Sequence, residues 1–183
     1  MKLLKLLIPI LLFAFPKNGF SQGLISGSLK PLKDIHVANV IVDWSKVLID
    51  DKTEKEWLEY RQEESPKYNA EDELEKELKQ QVIMRFIPAS NDVTKKRGFK
   101  LVRNKKTTIS LKVIPLKMKK NGANVCQFEF FYTDSNESFA TIEIKSDSGL
   151  FGSMPNLWGD GFHNAGVNFG GFMNKEIKNL YKK

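Results

Sequence analysis

Few residues in this chain have the chemistry of a reaction centre, and their spacing gives them little of it to do. The 183 residues include two histidines, His36 and His163, and one cysteine, Cys126. Two imidazoles do not complete a tetrahedral metal site, which takes three or four ligands, so no metal and no other cofactor is expected. His163 follows Asp160 by three residues, which on a helix puts carboxylate and imidazole on one face. That is the orienting half of a nucleophilic triad, but no serine or cysteine is tied to it by any motif. The pair reads as structural, and a hydrolase using it is the weakest reading carried forward. His36 falls in a strand and reads as a satisfied core or edge residue. Cys126 alternates with Phe128, Phe130 and Tyr132 and reads as a small buried hydrophobe rather than a reactive thiol. A lone cysteine also excludes a disulfide framework. Ser146-Asp147-Ser148-Gly149 sets oxygen atoms ahead of a glycine, yet it has one carboxylate and runs straight into Leu150-Phe151, so it lacks the later acidic ligands of a calcium loop. Gly159-Asp160-Gly161 lacks the third glycine of a dinucleotide fingerprint. The acidic residues are dispersed, and no two can be assigned as an acid/base pair. The chain is therefore expected to have no catalytic residue.

A different kind of site is legible near the C-terminus. Leu150, Phe151, Met154, Leu157 and Trp158 are large apolar side chains in a glycine-punctuated connection. Such a set either folds back on the core as a lid or stays exposed as a patch that meets a partner or a lipid surface. These five, with His163, are the candidate partner-binding residues. The wider glycine- and aromatic-rich segment 149–173 is the one a peripheral membrane protein would use.

Residues 1–21 read as a secretory signal peptide. Lys2 and Lys5 supply the basic start, Leu3 to Phe15 is almost wholly apolar, Pro16 breaks the run, and Gly19-Phe20-Ser21 offers small residues for cleavage before Gln22. The apolar core is short for a membrane span, and no cysteine follows it to carry the usual lipoprotein anchor. The expected destination is the periplasm or the extracellular space. The chain has 29 basic and 22 acidic residues; Lys2, Lys5 and Lys17 leave with the signal, so 26 remain against 22, a balance of +4. The lysine clusters at Lys95-Lys96-Arg97, Lys105-Lys106 and Lys117-Lys119-Lys120 sit beside expected turns, and no recognition motif accompanies them, so nucleic acid is not an expected partner.

The elements that must position the candidate residues follow from periodicity. Residues 22–33 read as a flexible leader to a single α+β domain over 34–183. Ile35 to Trp44 is apolar on both parities and is expected as a central strand covered on both faces. Lys52 to Gln62 is a short helix stopped by Ser65-Pro66. Asn69 caps a second helix in which Leu74, Leu78, Val82 and Phe86 recur every four residues, with the charges from Glu71 to Lys79 on a solvated face and Pro88 closing it. Phe99–Val102, Thr107–Met118, Val125–Thr133 and Phe139–Lys145 are strands, the last three forming an antiparallel meander through turns at Asn121-Gly122 and Asp134–Glu137. Pro115 argues for an edge or a bulge. A helical apolar repeat (Met154, Trp158, Phe162, Ala165, Phe169, Met173, Ile177, Leu180) then runs through a stretch that holds seven of the twelve glycines. Either the helix packs a bare backbone closely against another element, or it begins only near Asp160. The expected architecture is a mixed sheet of four to five strands packed by two or three helices.

Gly152-Ser153, Asn156-Leu157, Gly159-Asp160-Gly161-Phe162 and Ala165-Gly166, behind an Ile-His-Val strand and a charged helix, resemble a group of uncharacterised small exported bacterial proteins. The resemblance covers most of the chain after the signal segment and implies no particular activity. More distantly, the element order is similar to periplasmic α/β domains such as the N-terminal domain of the translocation protein TolB and the outer-membrane activators of peptidoglycan synthases. That similarity implies a domain that binds another envelope protein rather than performing chemistry.

Overall fold

Alternation of apolar and polar side chains dictates the sheet, and a four-residue apolar row dictates the helix laid across it. The computed structural model describes residues 23–182; the expected signal segment, 1–21, lies outside the described residues. In chain order the elements are β1 (Gly23–Gly27), β2 (Val37–Val42), β3 (Leu48–Ile49), α1 (Glu54–Glu64), a helical run α2 over residues 70–94, β4 (Lys100–Val102), β5 (Ile109–Met118), β6 (Asn124–Tyr132), β7 (Ser138–Ser146) and α3 (Met154–Leu180). The seven strands form one mixed sheet in the order β1-β7-β6-β5-β2-β4, with β3 pairing with β5 beyond the end of β2. The expected α+β class and antiparallel meander are present.

The strand count exceeds the four to five expected, because short segments escape periodicity. β3 pairs through only two residues and β4 through three. β1 falls within the segment expected to be a flexible leader, yet it pairs antiparallel with β7 from Gly23↔Glu143 to Gly27↔Ala140. Glycine and serine do not announce a strand, but a waiting edge supplies all the hydrogen bonds such a segment needs.

One face of the sheet carries the core. Val40, Leu111, Val113, Phe128, Phe130 and Ile142 are buried together with the apolar faces of the helices in one cluster. Alternate residues face away from it, where Lys112 and Glu129 pair across β5 and β6 at 3.3 Å. The expectation that the first strand is covered on both faces is therefore corrected: Ile41 of β2 is 44% exposed. Pro115 sits within central β5 at a bulge between Pro115 and Lys117. It falls in the gap between β2, which pairs up to Val113, and β3, which begins pairing at Lys117, so its missing N–H removes no ladder bond.

In α2, Leu74, Leu78, Val82 and Phe86 are fully buried. An α-helix turns 100° per residue, so a strict four-residue row drifts by about 40° at each step. Two π-helical stretches, Glu73–Leu78 and Val82–Phe86, widen the turns and hold the row in line with the sheet. The same widening lets the helix pass Pro88, which was expected to end it; Pro88 opens the regular stretch Ile87–Thr94, and Gly98 at φ +68° terminates the run after a last 3-10 turn. Nor is the charged stretch wholly solvated. Glu73 is buried and takes a two-pronged bond from Arg61 of α1, at 2.7 and 3.0 Å. Lys79 is held by Glu54 and Glu75 and lies over the Trp44 ring. Burial works against the Lys79 charge, but its two carboxylates outweigh it and raise the pKa.

α3 begins at Met154 with Pro155 in its first turn, so residues 149–153 are loop and the glycines beyond them are helical. The close-approach reading holds. A side chain at Gly161 would overlap the carbonyl of Gly122 in the β5–β6 turn, one at Gly166 would meet the Phe86 carbonyl of α2, and one at Gly170 would come within 2.7 Å of Val93. Gly171 faces open space.

Two outcomes follow. Gly161→Ala should cost about 3 kcal/mol in urea unfolding, whereas Gly171→Ala should be neutral or stabilising by up to about 1 kcal/mol through the usual helix preference for alanine; equal effects at both sites would contradict the packing described. Arg61→Met should cost about 3 kcal/mol by leaving Glu73 buried and unpaired, and Arg61→Met with Glu73→Met should recover most of the loss in the same measurement.

Candidate functional site

The loop between β7 and α3 is short, and its β7 end is tied to α3. Asn164 of α3 donates through its side-chain amide to the Asp147 carbonyl at 3.3 Å. Gly149 packs so closely on α3 that a Cβ there would stand 3.0 Å from Leu157 and 2.7 Å from Asp160. Gly152 adopts φ +134°, which a side chain would resist. Between these fixed points Leu150 and Phe151 project outward, 85% and 89% exposed, the highest values among the large apolar side chains of the described residues.

The base of the loop is rigid. Trp158 is fully buried and stacks on Trp44, with ring centroids 6.4 Å apart and planes inclined by 19°. Phe162 meets Trp44 and Trp158 nearly edge-on, at 6.1 and 6.4 Å. Aromatic pairs in these geometries stabilise beyond the area they bury. Beneath lies a small polar knot: Asn124, buried, accepts from the Ser146 hydroxyl at 2.6 Å and donates to the Gly122 carbonyl at 3.0 Å. It fixes the turn on which Gly161 of α3 rests.

The six candidate residues therefore divide. Leu150 and Phe151 are exposed, Met154 and Leu157 are half-buried, Trp158 belongs to the interior, and His163 is exposed on α3. Lid and patch are both present, in different residues: Trp158 closes the core while Leu150 and Phe151 stand on the outside of it. Sequence reasoning took Trp44 only as a strand end and passed over Asn124. The rings that meet Trp44 and the Ser146 hydroxyl that meets Asn124 lie more than 20 residues away along the chain, and no local spacing signals either role.

The residues with reactive chemistry stay apart. Asp160 and His163 are both exposed, and no hydrogen bond joins them among the described residues. His36 is exposed just ahead of β2 and near Gly98. Cys126 is wholly buried, and desolvation pushes its thiol pKa well above the ordinary value, so it is held as the unreactive thiol. Among the described residues no three histidine, cysteine or acidic side chains gather as metal ligands would, and no helix is long and apolar enough to cross a membrane.

The division between interior and surface is measurable. Trp158→Ala should destabilise the protein by about 3–5 kcal/mol through the cavity it leaves, whereas Phe151→Ala should stay within about 0.5 kcal/mol of the parent in urea unfolding, as exposed positions do. With this geometry in hand, no family model matches the chain, and no curated protein and no solved structure matches it either.

Proposed function

We propose that the protein is a non-catalytic protein-interaction module of the cell envelope, and that its contact surface is centred on Leu150 and Phe151. The observation that carries this reading is the exposure of two large apolar side chains on a short loop tied to α3 at its β7 end. Holding such groups in water costs on the order of 1.5–3 kcal/mol for each that a partner could bury, and a rigid mount removes much of the ordering cost of binding. Apolar anchors on a fixed base with a polar surround are the anatomy of a binding hot spot.

The charge around the loop favours a protein over an anionic bilayer. The lysines of the neighbouring β5–β6 turn are largely neutralised: Lys119 pairs with Asp51 and Lys120 with Glu64. Asp147 and Asp160 flank the loop itself. A mixed-charge rim suits a protein surface, which is itself mixed, while binding to anionic lipid gains from uncompensated basic residues. Export, on which the envelope setting depends, is supported by the basic and apolar pattern of residues 1–21.

The test is site-specific photocrosslinking in the native cell envelope with the reactive group placed at position 151 or, as a control, at exposed Ser135. A discrete adduct from 151 alone, lost in a Leu150→Ser form that folds normally, is the expected result. Equal labelling from both positions would sink the surface assignment, and flotation with anionic vesicles at low salt, abolished by Leu150→Ser, would replace the protein partner with a lipid surface.

A further inference from the structure

The parallel half of the sheet leaves one strand edge open inside a groove. β2 pairs with β5 through Val42↔Val113, but with β4 only as far as Asn39↔Val102. Along a strand between two neighbours, backbone groups point to one side and the other in turn. The Asp43 N–H donates to Val113 of β5, whereas the His36 carbonyl accepts from Lys100 of β4. By that alternation Val42 turns its N–H and C=O to the β4 side, beyond the last residue of β4, and no hydrogen bond reaches them among the described residues. The groove over them has a volume of about 410 Å³ and is walled by Trp44, Glu75, Lys79, Ile83 and Arg103.

The neighbouring edge is treated differently. On β4 the Leu101 N–H donates to the Asn91 side-chain oxygen at 2.7 Å, and the Asn91 amide donates back to the Leu101 carbonyl at 2.9 Å. One asparagine of α2 thus stands in for a further strand, a device that closes sheet edges against unwanted pairing. At β2 the equivalent position is kept clear. Asn39 accepts from the Lys105 N–H at 3.2 Å, which ties the loop leaving β4 down at the level of Asn39. The charges on the walls are unequal: Lys79 is satisfied by Glu54 and Glu75, while exposed Arg103 forms no ion pair among the described residues.

We infer that this groove takes an extended peptide by strand addition to Val42, with an acidic side chain of the peptide beside Arg103. Main-chain hydrogen bonds supply the attachment, and Ile83 and Trp44 form the wall met by alternate side chains. This site is separate from the Leu150–Phe151 surface, and its test does not depend on that assignment.

The experiment follows backbone amide signals of ¹⁵N-labelled protein during titration with the peptide acetyl-Thr-Val-Glu-Val-Glu-Val-Thr-amide, and with the same peptide N-methylated at alternate residues. Shifts centred on Val40 to Val42 and Arg103, saturating at millimolar peptide and absent with the N-methylated form, are expected. Arg103→Glu should weaken binding by about fivefold, the value of one exposed charge pair. Val42→Pro should keep the fold, because this N–H serves no ladder bond, and should lose binding. Absence of shifts at β2, equal shifts with the N-methylated peptide, or undiminished binding to folded Val42→Pro protein would each overturn the inference. Self-association that Val42→Pro removes would overturn it too, by making a second copy the occupant. Should Val42→Pro fail to fold, the N-methylated peptide and Arg103→Glu decide the matter.

Discussion

The contact of α3's backbone with two other stretches of backbone is the constraint on which the rest of the structure depends. At Gly161 the helix lies directly on the carbonyl of Gly122, and at Gly166 on that of Phe86. No residue but glycine permits either approach. Because α3 comes so close, Phe169 reaches between Phe86 and Phe128, with centroids 5.5 and 4.8 Å away, and Trp158 is carried down onto Trp44. These aromatic contacts join α3 to α2, to the sheet and to the loop after β2, so the glycine face positions the core as well as the helix. The entropy lost by placing glycines in a helix, on the order of 1 kcal/mol each, is offset by the aromatic burial that they make possible.

This closeness also explains why the loop before α3 can present apolar side chains without collapsing. Gly149 lies where a Cβ would crowd Leu157 and Asp160, and the turn that receives α3 is itself locked by the buried Asn124. A flexible connection would fold Leu150 and Phe151 back over the half-buried Met154 and Leu157. Here the Asn164–Asp147 bond and the close packing of Gly149 on α3 set the course of the loop, and both side chains stay exposed. The display of the patch and the packing of the core thus have a common cause.

What was legible in the sequence was whatever repeats within a few residues. The i, i+4 row from Leu74 to Phe86, the alternation of Cys126, Phe128 and Phe130, the Asn69 cap and the meander turns all appear where periodicity put them. The repeat after Met154 was legible as helical spacing, but the sequence left open whether its glycines lay in a helix against a close neighbour or in a loop before a helix starting near Asp160. What escaped was settled by partners distant along the chain. β1 is a strand only because β7 offers it an edge. Glu73 looks solvated until Arg61, twelve residues earlier, is folded against it. Pro88 looks terminal until the π turns before it relieve the clash that it would cause in a regular helix. At the candidate site, composition identified Leu150 and Phe151 correctly as large apolar groups in an unusual place, but Trp158, of the same character and a few residues on, is interior. Trp158 belongs to the helical row that runs on to Phe162 and stacks on Trp44, whereas Leu150 and Phe151 precede the helix.

The pairing of β1 with β7 has a bearing on how the chain reaches this structure. It joins Gly23 to Glu143, while the helix that covers the sheet occupies residues 154–180. Folding rates fall as contacts span more of the sequence, because the chain must close long loops before it is rewarded for doing so. Here the first strand finds its partner only after most of the polypeptide exists, and the core is sealed by its last element. Contacts of such span make for slow folding, with the edge strand and the covering helix among the late elements to dock.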